Sequence, residues 1–355
     1  MTITSVLLPA DSQPDSNALA SLRDGCVEAR GFTGSAIAAQ RLDTELAVYQ
    51  LQGLVGPLLE LARIRGTIQE DGTILRANGA AAGSFVLYLL GLAALNPLDH
   101  EFLLERFVDP DSTMQDDLWI TCNVSQPIEH LASGDESGED GSVGLQLKLI
   151  PCKQLERIAK LAAHVQTSVA LDDATTYELL GRGDTSGIDG LDSSSDQDRL
   201  RQFQPKTFAE LAALIAVGSP AMKLIRERLL ARDPQQRPED VAYSGGDRDS
   251  VSGFILYQEE LMQILHQAGN FTLREAYVLF REICKGNQDR VAAARRQLLS
   301  GTSESGSGTQ ALDLVEDLAA QTRCKAHCYA TAYDCYEAAY LKATYPNEFS
   351  AAMTG

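Results

Sequence analysis

Residues 79–92 read GAAAGSFVLYLLGL, five small residues and a serine leading into an almost unbroken apolar run. A run without a polar face predicts a helix buried on every side, entered through a tight small-residue turn. Even extended to Leu95 the run is shorter than the ~20 residues that cross a bilayer, so the chain reads as cytoplasmic, with no membrane partner. Upstream, Leu42, Leu46, Tyr49, Leu54, Leu58, Leu61 and Ile64 recur every three to four residues. That spacing predicts a helix over 41–65, bent where Gly56 and Pro57 interrupt it.

Outward from this block, the 355 residues are 44% hydrophobic and 22% charged, which predicts compact folding over two or three units. The 49 Asp and Glu outnumber the 30 Lys and Arg, for a net charge of −19. Such a balance opposes diffuse attraction to nucleic acid, so any contact with DNA is expected to be local and salt-sensitive. Seven cysteines, an odd number spread along the chain, read as reduced thiols. Cys324, His327 and Cys328 crowd one predicted helix, where their side chains fan around the axis, and no metal site is expected there.

Residues 1–39 read as a flexible lead-in. The string SGDESGEDGS at 133–142 is acidic, carries no apolar surface to bury, and reads as a solvated linker. Residues 143–150 alternate as a strand does, and helical spacing returns over 153–169, 208–216, 221–230, 254–267, 311–320 and 326–344. Soft, polar stretches are expected at 186–198, 233–252 and 300–309. Tyr257 and Met262 read as helix-packing residues, and Glu259 and Glu260 as a solvated face.

Several strings in one order then carry a likeness: GSFVLYLLGL from Gly83, LLERFVDP from Leu103, GDTSGI from Gly183, GFILYQEELMQI from Gly253, KAHCYATAY from Lys325 and YLKATYPNEFSAA from Tyr340. Over roughly residues 40–355 they resemble the core of the bacterial replicative DNA polymerase family, the alpha subunit of DNA polymerase III, in a truncated and degenerate form. The resemblance implies a mixed, mainly helical α/β fold: a nucleotidyltransferase-type palm remnant at 40–150, with the acidic linker in place of a thumb, then a helical fingers-like region at 151–355.

Polymerisation needs two divalent ions held by converging carboxylates. In the family, two of these acids stand two apart on one strand and a third stands on another. Here the corresponding string is MQDDLWITC from Met114, which puts Asp116 at the first acidic position but Leu118 and Ile120 at the next ones. Asp117 does not replace them, because adjacent strand residues face opposite ways. The third acid falls in LKLI, 147–150. By the same resemblance Gly83, Ser84 and Arg76 are what remains of a phosphate loop, and Lys325, His327 and Tyr333 stand where fingers residues face the nucleotide. The expectation is a polymerisation-incompetent relative that binds or regulates in DNA replication or repair, with a protein partner and weak contact to primed DNA. The alternatives are an active DNA-directed DNA polymerase with a rearranged site, which alone requires Mg²⁺, and a decayed remnant without a role.

Overall fold

The computed structural model describes residues 4–9, 27–28, 30–69, 73–107, 118–122, 144–162, 169–232, 251, 253–269, 271–301 and 307–354. Asp116, Asp117, the acidic stretch 133–142 and most of 233–252 lie outside the described residues. The fold is mixed α/β and mainly helical. Four strands, β1 (Thr4–Pro9), β2 (Leu75–Ala77), β3 (Leu118–Cys122) and β4 (Gly144–Pro151), form one sheet in the order β1-β4-β3-β2. The central pair β3 and β4 is parallel, and each edge strand is antiparallel to its neighbour.

At residues 4–9 the pairing of β1 with β4 departs from the reading of 1–39 as a flexible lead-in, while residues 10–26 lie outside the described residues. The strand's apolar Val6, Leu7 and Leu8 register with Leu147, Gln146 and Leu145. Such a strand is specified by a partner far along the chain, so local composition does not reveal it.

Helices α1 (Ala36–Leu51) and α2 (Val55–Gln69) form where the apolar spacing predicts a bent helix, but the break comes at Gly53 rather than at Gly56 and Pro57. Gly53 takes a φ of +67°, which costs a glycine little. Pro57 lies in the first turn of α2, where its missing N–H has no helical acceptor to lose. Ser84 caps the short, buried helix α3 (Phe85–Leu89). These elements share one core with Leu42, Tyr49, Leu58, Phe85, Leu87 and Ile120 at its centre.

The rest is helical: α4 (Lys153–Ala162), α5 (Ala174–Gly181), α6 (Ser194–Phe203), α7 (Phe208–Ala216), α8 (Lys223–Leu230), α9 (Gln258–Gly269), α10 (Leu273–Cys284), α11 (Gln288–Gly301), α12 (Ser307–Leu318), α13 (Lys325–Thr344) and α14 (Pro346–Thr354). The soft stretch expected at 186–198 ends early, because Ser193 caps α6 and draws 194–198 into a helix. The helix expected from 254 starts at Gln258; residues 254–256 form no regular element, and Tyr257 forms a lone bridge with Arg323. Tyr257 and Met262 are buried, as expected of packing residues. Helix α13 packs against α4, α5, α7 and the Gly79–Gly83 turn. It thereby joins the helical region to the sheet lobe.

Candidate functional site

The turn Gly79–Gly83 and the start of α3 hold the first cluster. In a helix, positions 42, 45 and 49 share a face, so the buried stripe of α1 carries an acid, Glu45, between Leu42 and Tyr49. Its carboxylate is fully buried against the first turn of α3. It accepts from Phe85 N at 2.8 Å, Val86 N at 3.0 Å and Ser84 Oγ at 2.9 Å, and from Arg41 Nε at 2.7 Å. Arg41 also donates to the carbonyls of Phe102 and Gly83. Ser84 Oγ accepts from Leu87 N and lies 2.9 Å from the Tyr49 hydroxyl, whose pKa burial pushes well up, with Glu45 adding to the rise. The amides that a phosphate would need at this helix start are therefore engaged by the protein's own carboxylate. Gly83 is equally closed in, since an added Cβ would stand 3.3 Å from the Cβ atoms of Ala326 and Phe102.

Alternation along β2 buries Leu75 and Ala77 and turns Arg76 toward α13. There Arg76 Nη1 lies 2.6 Å from Asp334 Oδ1, and Nη2 lies 2.7 Å from Glu337 Oε2. Its guanidinium also covers the Tyr333 ring at 5.1 Å. Burial works to lower the Arg76 pKa, but the Glu337 and Asp334 charges outweigh it, and the pKa is raised. Burial raises both carboxylates, with Arg76 opposing. The Tyr333 phenol is pushed to about 12 by burial first and by Glu337 second. Arg76 is thus an internal strut between sheet and helix. Beside it Arg76, Asn78, Phe102, Ala326 and Asp334 line a cavity of about 10 Å³, room for one water and not for a nucleotide.

Lys325 and His327 open α13. Lys325 is buried, its Nζ 5.6 Å from the Tyr329 ring centroid. Its backbone N–H donates to Glu259 Oε2 at 2.8 Å, and Cys324 Sγ donates to Glu259 Oε1 at 3.4 Å. Glu259 is therefore a buried cap for α13 and not part of a solvated face. Glu260 likewise turns inward to accept from Leu256 N and Tyr257 N, and burial pushes its pKa up to about 7. His327 is exposed, with Nδ1 2.8 Å from Asn78 Oδ1. Desolvation of the ring, then the Arg323 and Arg106 charges, hold its pKa down.

Strands β3 and β4 are parallel neighbours, and their register pairs Leu118 with Leu147 and Ile120 with Leu149. The positions at which the resemblance requires acids are thus brought together, and each carries an aliphatic residue; Ile120 is fully buried. Among the described residues no three His, Cys, Asp or Glu side chains converge as metal ligands would. The structure gathers Arg76 with Tyr333, sets Lys325 and His327 on one helix turn, and packs Gly83 against that turn. Residue-by-residue reading missed Glu45, Glu259, Asp334 and Glu337; the signal for Glu45 was an acid set inside an apolar helical stripe.

Two family models match this chain. The bacterial DNA polymerase III alpha NTPase domain matches residues 22–126, starting inside the segment read as a lead-in, and the bacterial DNA polymerase III alpha subunit finger domain matches residues 152–306. The DNA polymerase III subunit alpha of Halalkalibacterium halodurans is 31% identical over 192 residues, 52% of this chain and 17% of that protein. Its counterpart in Thermus aquaticus is 29% identical over 214 residues, 56% of this chain and 18% of its own length. That of Escherichia coli K12 is 30% identical over 202 residues, 52% and 17% of the two chains. The chain spans less than a fifth of the curated relatives it matches.

Proposed function

We propose that this chain, which belongs through its two matched segments to the bacterial DNA polymerase III alpha family, is a polymerisation-incompetent relative acting in DNA replication or repair as a binding or regulatory protein. One observation carries the reading: the adjacent strands β3 and β4 meet at Leu118, Ile120, Leu147 and Leu149, where metal-holding acids would have to stand. Carboxylates lower the barrier to phosphoryl transfer by fixing the ions that neutralise developing charge, and aliphatic side chains supply none of that stabilisation. The closure of the α3 start by Glu45 and of Arg76 by Asp334 and Glu337 supports the same reading, because both sites of positive potential already hold an anion. Magnesium accordingly has no part in the proposed role, and a replication or repair protein is the proposed partner, with primed DNA held weakly. The proposed setting is the cytoplasm; among the described residues no single helix is long and apolar enough to cross a membrane.

The test is primer extension by the full chain with Mg²⁺ or Mn²⁺. No incorporation above a no-protein control is expected. Incorporation that Asp116→Ala abolishes would overturn the proposal in favour of an active polymerase with a rearranged site. A chain that melts without cooperativity would instead favour a decayed remnant.

A further inference from the structure

Helices α10 and α11 are joined by only Lys285, Gly286 and Asn287, with Gly286 at a φ of +71°, so they run antiparallel as a hairpin. One side of the hairpin shares a core with α9 and α12, to which it contributes Tyr277, Phe280, Val291 and Leu298. The other side holds an open hollow of about 510 Å³ between the two helices. Residues three and four apart fall on one helix face, so Glu275, Val278 and Glu282 make the α10 wall and Arg290, Ala293 and Gln297 the α11 wall.

The two walls are opposite in bulk and, at the loop end, opposite in charge. Val278 stands up from the α10 wall, 44% exposed, whereas Ala293 and Ala294 across the hollow are small and leave room. A hollow lined by small side chains forfeits dispersion contacts until a side chain fills it, and an exposed branched side chain gains by burial. At the loop end α10 carries Glu282 and α11 carries Arg290. Asn287 Nδ2 donates to Glu282 Oε2 at 2.6 Å, which holds this carboxylate beside the loop. At the far end Arg274 and Glu275 are neighbours, so their charges offset one another.

We infer that this face is an interface between two copies of the chain, joined as a four-helix bundle about a two-fold axis that runs parallel to α10 and α11. That axis sets α10 of each copy on α11 of the other. Val278 of each copy then enters the alanine hollow of its partner, and Glu282 of each meets the partner's Arg290. A two-fold axis across the helices fails on size: it sets Val278 against the partner's Val278 and leaves the two alanine hollows facing each other unfilled. Three turns of each helix make a small face, below the ~1,600 Å² of a standard interface, so the dimer is a weak one. The assembly does not depend on whether the chain polymerises.

The experiment is sedimentation velocity of the full chain from micromolar to several hundred micromolar. It is run at ~0.15 M salt, where a Debye length of ~8 Å screens the long-range repulsion between two chains of net charge −19. A reversible dimer is expected. R290E and E282R each set like charges face to face twice per dimer, and each alone is expected to weaken association ~10-fold or more. Mixed in equal amounts, with one of them fluorescently labelled, these two variants are expected to pair with each other at least as well as wild type. Each charge then meets its opposite across the interface, and no contact within one chain explains such a rescue. A293R places a long charged side chain in the hollow at an exposed position and is expected to abolish the dimer. It decides the matter if E282R, which also loses the Asn287 bond, folds poorly. A wild-type chain that stays monomeric throughout the series would overturn the inference and leave the hollow to a different protein. A dimer undisturbed by both R290E and A293R, or two folded charge variants that stay apart when mixed, would overturn it as well.

Discussion

Replacing Glu45 by glutamine keeps the volume of the side chain and removes its charge. In the native protein the carboxylate receives three donors from the start of α3 and one from Arg41. The amide keeps a single acceptor oxygen and turns an NH₂ toward the remaining donors, so about two of the four contacts become unfavourable. A buried donor left without a partner costs ~1–3 kcal/mol, and breaking a buried ion pair from one side costs ~3–5 kcal/mol. These penalties overlap at Arg41, which retains the Phe102 and Gly83 carbonyls, so the expected loss is ~3–4 kcal/mol. With a urea m value of ~2–3 kcal/mol per molar, the unfolding midpoint should fall by more than ~1 M at unchanged m. Glu60→Gln is the control. It breaks an exposed pair with Arg63 and should change stability by no more than ~1 kcal/mol. If E45Q unfolds within ~1 kcal/mol of wild type, the carboxylate does not hold the start of α3, and the closed cradle loses its physical basis.

Glu260 gives a prediction in pH. Its folded pKa of about 7 lies above the ordinary 4.5, so the folded state binds more protons between those values and stability falls as pH rises from about 4.5 to about 7. E260Q keeps an acceptor for Leu256 N and Tyr257 N, and thermal melts across that window should show a flatter decline than wild type; an equally steep decline would assign the titration elsewhere. For Arg76, the substitution R76M leaves Asp334 and Glu337 buried with their cation gone and should destabilise by ~3–5 kcal/mol. Adding D334N and E337Q to R76M should recover much of that loss in urea unfolding, because the buried charges disappear with their partner.

The likeness to the polymerase family, the helical second half and the strand found at Gly144–Pro151 were all legible from local order and spacing. These are properties of neighbouring residues, and a hydrophobic period or a motif exposes them directly. The strand at Thr4–Pro9 was not, since its partner β4 lies far along the chain. The break at Gly53 was misplaced by three residues, because proline disturbs a helix only beyond its first turn and the position of that turn was unknown. For the site, the sequence named Arg76, Ser84 and Lys325, yet each carries a polar group whose meaning depends on what faces it. Tertiary packing decided that Glu45 fills the α3 start, that Asp334 and Glu337 neutralise Arg76, and that Glu259 caps α13 beside Lys325. Identity and order along the chain determine which charges exist. Only the fold determines which of them meet, because attraction between charges acts through distance and desolvation in space, and chain order encodes neither.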